Sequence, residues 1–256
     1  MIISWVFHLT LKKTNYKQMK IALIGYGKMG QFIEKIAKER GHEIVAVIDI
    51  HNLEDFGSEA FRSADVAIEF TRPEVAVENI KKAFESNVPV VCGTTGWTAR
   101  LEEIMALIEE KNQTLFWASN FSLGVNIFFA INKNLAQLMN QFPAYDAAMT
   151  EIHHIHKLDA PSGTAITLAE NIIAELDRKE KWTLGKAVQP DEIGINDIRE
   201  GETPGTHIVT YDSEVDSITI QHEAKNRQGF ALGAVIAAEF TAGKKGFLGM
   251  NDLLKF

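Results

Sequence analysis

Lys20-Ile-Ala-Leu-Ile24, followed at once by Gly25-Tyr-Gly-Lys-Met-Gly30, decides the fold. The first five residues are a short run of buried-strand type, and the next six read G-x-G-x-x-G. Gln31–Arg40 then has helical spacing, with Ile33, Ile36 and Ala37 on one face and Gly41 as a stop signal. Ile44–Ile48 is a second buried strand, ended by Asp49. Alone, a G-x-G-x-x-G is weak, because glycine-rich turns are common. Between a strand and a helix, with an acid closing the next strand, it has the context that a dinucleotide site requires. Gly25 permits the tight turn, Gly27 lets backbone approach a pyrophosphate, and Gly30 lets the helix pack on the strand. Lys28 and Met29 complete the loop, and Asp49 is placed to accept hydrogen bonds from a ribose diol.

Outward from this unit the alternation continues. Ala64–Phe70, Pro89–Cys92 and Thr114–Ala118 read as strands. Helices open at Thr71-Arg-Pro-Glu74 and over Arg100–Lys111, with Pro73 suited to a first helical turn. Such alternation predicts an α/β fold with a Rossmann-type parallel sheet. Ligands of these sheets lie beyond the strand C-termini. That rule puts Phe70, Thr71, Gly93, Thr94, Thr95, Ser119, Asn120 and Phe121 on one cofactor-binding rim with the glycine loop. Cys92 reads as a small core residue.

After Asn120 the pattern changes. Ser122–Phe142 is a long apolar helix, Tyr145–Ile152 a strand, and Ala165–Leu176 a helix. Asp177–Asp191 reads as a polar loop. Gly205–Tyr211 and Asp216–His222 read as antiparallel strands, and Phe230–Phe240 as an alanine-rich helix. Strands grouped in this way predict a smaller α+β substrate domain with an open mixed sheet. The expected division is an N-terminal extension over 1–18, a dinucleotide-binding domain over 19–121, a substrate-binding and oligomerisation domain over 122–229, and a segment over 230–256 that returns to the first domain.

The chain has 256 residues, 46% of them hydrophobic, enough for real cores. A formal net charge of −8 argues against a nucleic-acid surface. One cysteine excludes an intrachain disulfide and suits a reducing compartment, so a cytoplasmic location is expected. No apolar run reaches membrane-span length. The short apolar stretch near the N-terminus lacks a basic start and a cleavage site, and reads as neither signal peptide nor anchor.

Glu151-Ile-His-His-Ile-His-Lys-Leu-Asp-Ala-Pro-Ser-Gly-Thr-Ala165 carries the chemistry. Read as extended chain, it puts His153, Ile155 and Lys157 on one face and His154 and His156 on the other. Pro161, Ser162, Gly163 and Thr164 are helix-start signals, and a helix N-terminus is an anion site. Imidazoles, an ammonium and free N–H groups suit one small anion; a solvated surface turn would also accommodate them. Zinc ligation by His153 with His156, or by His154 with His156, finds no nearby cysteine and no standard spacing, so no metal is expected.

From Met19 to Phe256 the sequence resembles the bacterial 4-hydroxy-tetrahydrodipicolinate reductase (dihydrodipicolinate reductase) family of the diaminopimelate route to lysine. The glycine loop, Phe70-Thr-Arg-Pro-Glu74, Gly93-Thr-Thr-Gly96, Ser119-Asn-Phe-Ser122 and Glu151–Ala165 match in order. The last fits the family form E-x-H-H-x-x-K-x-D-A-P-S-G-T-A at every fixed position. The resemblance implies a homotetramer that transfers a hydride from NADH or NADPH to a small cyclic imine dicarboxylate. It implies His153 as general acid. It gives His154 and Lys157 to the substrate carboxylates, with Lys157 assisting protonation, and Gly163 and Thr164 to a carboxylate at the helix start. Two departures stand out. The glycine loop is one residue shorter than in many members, and Asp49 is followed by Ile50 and His51 where many carry a basic residue. With only Lys28 left to meet a 2′-phosphate, NADH is expected to serve at least as well as NADPH. Another Rossmann-type dehydrogenase of a small acid and a non-catalytic dinucleotide sensor are the competing readings; neither accounts for the whole Glu151–Ala165 string.

Overall fold

Apolar residues at consecutive positions make the first strand a buried one. In the computed structural model, which describes residues 17–226 and 228–255, β1 (Lys20–Ile24) is covered on both faces. Nearly all of the expected N-terminal extension lies outside the described residues. α1 (Lys28–Glu39) begins inside the glycine loop, three residues before the predicted start, with Gly27 at its N-cap. β2 (Glu43–Ile48), α2 (Glu59–Arg62), β3 (Val66–Glu69), α3 (Pro73–Glu85), β4 (Val90–Cys92), α4 (Leu101–Lys111) and β5 (Thr114–Trp117) follow.

The second half supplies α5 (Leu123–Met139), β6 (Asp146–His153), α6 (Gly163–Glu175), β7 (Lys181–Leu184), β8 (Glu192–Arg199), β9 (Thr206–Asp212) and β10 (Ser217–Glu223). It ends with α7 (Gln228–Thr241), β11 (Gly246–Leu248) and α8 (Met250–Leu254). The strands form two sheets. One is six-stranded and all parallel, in the order β11-β5-β4-β3-β1-β2. The other is five-stranded and mixed, in the order β10-β9-β6-β8-β7. The fold is therefore an α/β Rossmann-type sheet with a second, open mixed sheet.

Strand order in the parallel sheet reverses between β1 and β3, which makes their C-terminal ends the crevice of the sheet. Backbone bonds close that end tightly: Gly25 N–H donates to Ile48 O (2.8 Å) and Phe70 N–H to Ile24 O (2.9 Å). One face of the sheet is covered by α3 and α4, through Val77, Ile80, Phe84, Ile104 and Ile108. The other is covered by α1 and α7, through Ile33, Ala37, Ala234, Val235 and Ala238. α7 fits because it is built of small residues. At Gly233 a Cβ would lie 1.7 Å from Phe121 O, so only glycine lets the helix pass beneath that loop. A buried polar clamp joins it to the first strands: Arg40 Nε and His42 Nε2 both meet Glu239 Oε1, at 2.7 and 2.8 Å.

The mixed sheet packs one face on α5 and α6, where Met149, Ile193, Ile195, Val209 and Tyr211 meet Leu168, Ala169 and Ile172. Here the sequence expectation needs correction. Asp177–Asp191 is not a plain loop, since it contains β7. The buried Lys179 pins this region: its Nζ meets Asp146 Oδ1 at 2.6 Å and donates to Pro190 O and Glu192 O, each at 2.8 Å. β8 and β11 also escaped the reading. β8 is an inner strand, and β11 extends the parallel sheet beyond β5. β6 stops at His153, and residues 154–157 form a turn, so the extended alternation predicted through Lys157 does not occur.

Candidate active site

Two neighbouring concavities lie above the parallel sheet's C-terminal edge. The first, of about 350 Å³, is lined by Gly25, Gly27, Asp49, Ile50, Phe70 and Thr71, with Arg72 and Lys82 among the cations. The three glycines play different parts. A Cβ on Gly25, where φ is +91°, would lie 2.2 Å from Phe70 O, and one on Gly30 would lie 2.4 Å from Gly25 O. In front of Gly27 there is open space. α1 has no side-chain cap there, so its first N–H groups are unsatisfied by the helix. An uncapped helix start with an open glycine before it fits a dinucleotide pyrophosphate. Asp49 Oδ1 accepts the Ile50 N–H at 2.8 Å, which orients the carboxylate at the strand end. Lys28, the one cation expected from the sequence, is not among this cavity's lining residues, whereas Arg72 and Lys82 are.

The rim is stitched together by buried polar groups. Glu69, fully buried, accepts hydrogen bonds from the Thr71 hydroxyl and, at 3.0 Å, from the Cys92 thiol. Burial and the Glu69 carboxylate push the thiol up, so Cys92 stays a protonated core group. Thr94 Oγ1 accepts the Thr71 N–H at 2.8 Å, and Thr94 O accepts from both Trp97 and Trp117. The Phe70 ring lies on Gly93, where a Cβ would come within 2.1 Å of it. Phe121 is packed into the core beneath the rim, against Phe70 and Phe116.

The second concavity, of about 790 Å³, gathers Thr95, Ser119 and Asn120 from the rim with His153, His154, Lys157, Gly163 and Thr164. His156, Asp159, Thr167, Pro204, Asn226 and Phe230 also line it. The turn after β6 brings His154 to the same cavity as His153 and Lys157, although sequence alternation had put it on the opposite face. Ser162 caps α6 by accepting the Ala165 N–H at 3.2 Å. The N–H groups of Gly163 and Thr164 have no intrahelical acceptor, which leaves them to a ligand. Lys157 Nζ bonds both oxygens of Asp159 at 2.7 Å. Arg199 ties this turn to β8 through Lys157 O (3.3 Å) and Asp159 O (2.7 Å), and also meets Asp197.

Behind His153 lies a polar cluster that the sequence did not disclose. Glu151 is fully buried, and its Oε1 accepts the Ser162 N–H at 2.8 Å. Its Oε2 is 3.5 Å from both His153 Nδ1 and His207 Nε2. His207 Nε2 is also 3.1 Å from Ser162 Oγ. Burial opposes the Glu151 charge, but bonds from His207 and Ser162 and the nearby His153 outweigh it, so its pKa falls well below the usual carboxylate range. Burial brings His153 down to about 4, against the upward pull of Glu151 and with His207, Lys157 and Arg199 adding to the fall. The register foretells this cluster only once the strands are paired, since Glu151 lies opposite His207 on β9 and Asp197 on β8. Among the described residues, the group whose ligand atoms lie within 4.8 Å of one another is Glu151, His153 and His207, a different set from the histidine pairs weighed for zinc.

Comparison with known proteins agrees with this geometry. Residues 19–121 match the family model described as dihydrodipicolinate reductase, N-terminus, and residues 124–254 match dihydrodipicolinate reductase, C-terminus. The chain is 48% identical over 240 residues to the 4-hydroxy-tetrahydrodipicolinate reductase of Christiangramia forsetii, covering 92% of this chain and 98% of that one. It is 36% identical over 251 residues to the enzyme of the same name from Staphylococcus aureus, covering 92% and 100%. Among solved structures it resembles a dipicolinate-bound dihydrodipicolinate reductase from Paenisporosarcina sp. TG-14, with a TM-score of 0.73, 25% identity, and coverage of 92% and 99%. With both halves matched and the paired cavities in place, the chain belongs to the dihydrodipicolinate reductase family of NAD(P)H-dependent oxidoreductases.

Proposed function

We propose that this enzyme reduces 4-hydroxy-tetrahydrodipicolinate (dihydrodipicolinate) to tetrahydrodipicolinate in lysine biosynthesis, with the two concavities as cofactor and substrate sites. The observation that carries the reading is the convergence of His153, His154, Lys157 and the α6 N-terminus on one cavity that opens beside Ser119 and Asn120. A dicarboxylate needs cationic and N–H partners, and this cavity holds both. The solved relative described as dipicolinate-bound supports a planar dicarboxylate as the ligand class.

Gly25, Gly27, Met29 and Gly30 shape the loop that takes the pyrophosphate, and Asp49 takes the ribose diol. Phe70, Thr71, Gly93, Thr94, Thr95, Ser119, Asn120 and Phe121 form or support the rim that orients the nicotinamide. When bound, the reduced nicotinamide supplies the hydride. His154 and Lys157 neutralise carboxylate charge, and Gly163 and Thr164 hold a carboxylate on the helix start. His153 delivers the proton, with Lys157 helping to stabilise the charge that develops. His153 is neutral at pH 7 in the free enzyme. The substrate's negative charge raises its pKa on binding, which arms the acid only when there is something to protonate.

The same reading assigns the dinucleotide domain to 19–121, the substrate and oligomerisation domain to 122–229, and the return segment to 230–256, with 1–18 as an extension. We also read the enzyme as a cytoplasmic homotetramer acting on a small dicarboxylate, a reading that family membership supports. Among the described residues no helix is long and apolar enough to cross a membrane. Loss of NADH absorbance when the substrate is generated in place tests the reaction, and light scattering tests the tetramer. Absence of turnover with either reduced nicotinamide cofactor would remove the reading.

A further inference from the structure

We infer that Glu151, held in place by Ser162 and His207, is the positioning residue for His153. It fixes the imidazole with Nδ1–H turned inward and leaves Nε2 as the atom that gives up the proton. The inference rests on His153 being the acid of the reaction proposed above, and it names what makes that histidine competent.

Three observations carry it. His153 Nδ1 is buried without a hydrogen-bond partner, and Glu151 Oε2, likewise unpartnered, faces it at 3.5 Å. That carboxylate cannot swing away: its Oε1 is bound to the Ser162 N–H at 2.8 Å, and its Oε2 is shared with His207 Nε2 at 3.5 Å. Beside Nε2 the chain carries no side chain. Gly205 has φ +148°, and a Cβ there would lie 3.1 Å from His153 Nε2. The ring thus faces Glu151 at Nδ1, has a glycine rather than a side chain beside Nε2, and lines the second cavity.

A fully buried carboxylate with no Lys or Arg of its own is costly, and burying it is poor value for stability alone. The cost is understandable if the group sets a tautomer. The charged and titratable groups around His153 are Glu151 on its own strand, Asp197 and Arg199 on β8, His207 on β9, and His154 and Lys157 in the following turn. Arg199 is engaged with Asp197, which leaves Glu151 as the carboxylate that faces the ring. In the reaction, hydride adds to a ring carbon of the conjugated imine, and the electron pair displaced by it takes the proton from His153 Nε2. The imidazolium becomes a neutral imidazole that still donates Nδ1–H to Glu151. No proton passes to the carboxylate, and the charge it stabilises is that of the imidazolium.

The test has two arms. Glu151→Gln should lower turnover on the order of 10²-fold or more, within the range for a misplaced general acid, while NADH affinity stays within about twofold. The descending basic limb of its pH–rate profile should move to lower pH, because the charge that favours protonated His153 is gone. Glu151→Asp should recover part of both effects. A merely structural role would not move the limb. A folded Glu151→Gln enzyme with the wild-type limb and wild-type turnover would overturn the inference. The second arm needs no variant. Nitrogen-15 imidazole shifts of the wild-type enzyme at neutral pH should show His153 as the Nδ1–H tautomer, and an Nε2–H tautomer would overturn the inference even if the reduction proceeds as proposed. Failure of the wild-type enzyme to reduce the substrate would instead overturn the reaction, with the tautomer result standing on its own.

Discussion

Lys157 Nζ holds both carboxylate oxygens of Asp159 at 2.7 Å, so the lysine expected to receive a substrate carboxylate already has one. The pair is unequally exposed: Lys157 is 20% exposed and Asp159 62%, so Asp159 is the partner that water can take back. A substrate carboxylate then replaces Asp159 on the lysine, the displaced Asp159 is solvated, and the lysine is kept extended in the meantime. Lys157→Ala should weaken binding of pyridine-2,6-dicarboxylate by about 10- to 100-fold, as loss of a charge-assisted bond typically does, and should slow turnover as well. Affinity equal to wild type, measured by calorimetry, would take Lys157 out of the substrate site.

Proton uptake on binding is the second expectation. With His153 held down to about 4, the free enzyme carries it neutral at pH 7. A bound dicarboxylate raises its pKa, so the complex holds more protons than the separate partners. Dicarboxylate affinity must therefore fall as pH rises from about 4 to the higher pKa of His153 in the complex. Calorimetry below neutral pH in two buffers of different ionisation enthalpy should show net proton uptake in wild type and much less in His153→Gln. Equal uptake in both would assign the proton to another group.

The clearance at Gly205 gives a third. Gly205→Ala strains the backbone, since φ is +148°, and crowds His153 Nε2. Turnover should fall by at least tenfold, because small misplacements of a reacting group are costly. The Michaelis constant for NADH should stay unchanged, because the glycine loop is on the other sheet. A variant with normal turnover would show that the space in front of Nε2 is not used.

Cofactor choice depends on the first cavity. Asp49 suits a ribose diol and repels a 2′-phosphate, and Ile50 offers that phosphate nothing. Arg72 and Lys82 line the same cavity and add to Lys28 as cations for the phosphate. Both cofactors should be accepted, with NADH at least as good by kcat/KM. Arg72→Ala should reduce NADPH use more than NADH use, and Lys28→Ala should change the ratio less. Asp49→Ala should narrow the preference for NADH. A wild-type enzyme at least tenfold better with NADPH would contradict this view of Asp49.

Much of this was readable from the chain because it is written locally. The glycine loop, the acid at Asp49 and the Ser162 cap are each decided by a few adjacent residues, and they occur where periodicity puts them. β7, β8 and β11 were not readable for the same reason. Lys181–Leu184 and Gly246–Leu248 are too short to show a period, and Glu192–Arg199 mixes Gly194, Asn196 and Asp197 into its pattern. Their strand character comes from pairing with distant segments. The His207–Glu151 pairing is of the same kind, since the two partners are far apart in sequence and only a register can join them. His154 shows the opposite error. The extended pattern was real up to His153, and the turn that follows overrode it.

The most direct test of the central claim is steady-state NADH oxidation by wild type and His153→Gln, with the substrate generated in place and NADH affinity measured in parallel. Wild type should turn over, and the variant should lose about 10²- to 10⁴-fold in kcat while binding NADH as before. Undiminished kcat in the variant would contradict the account of His153 as the acid of the second cavity.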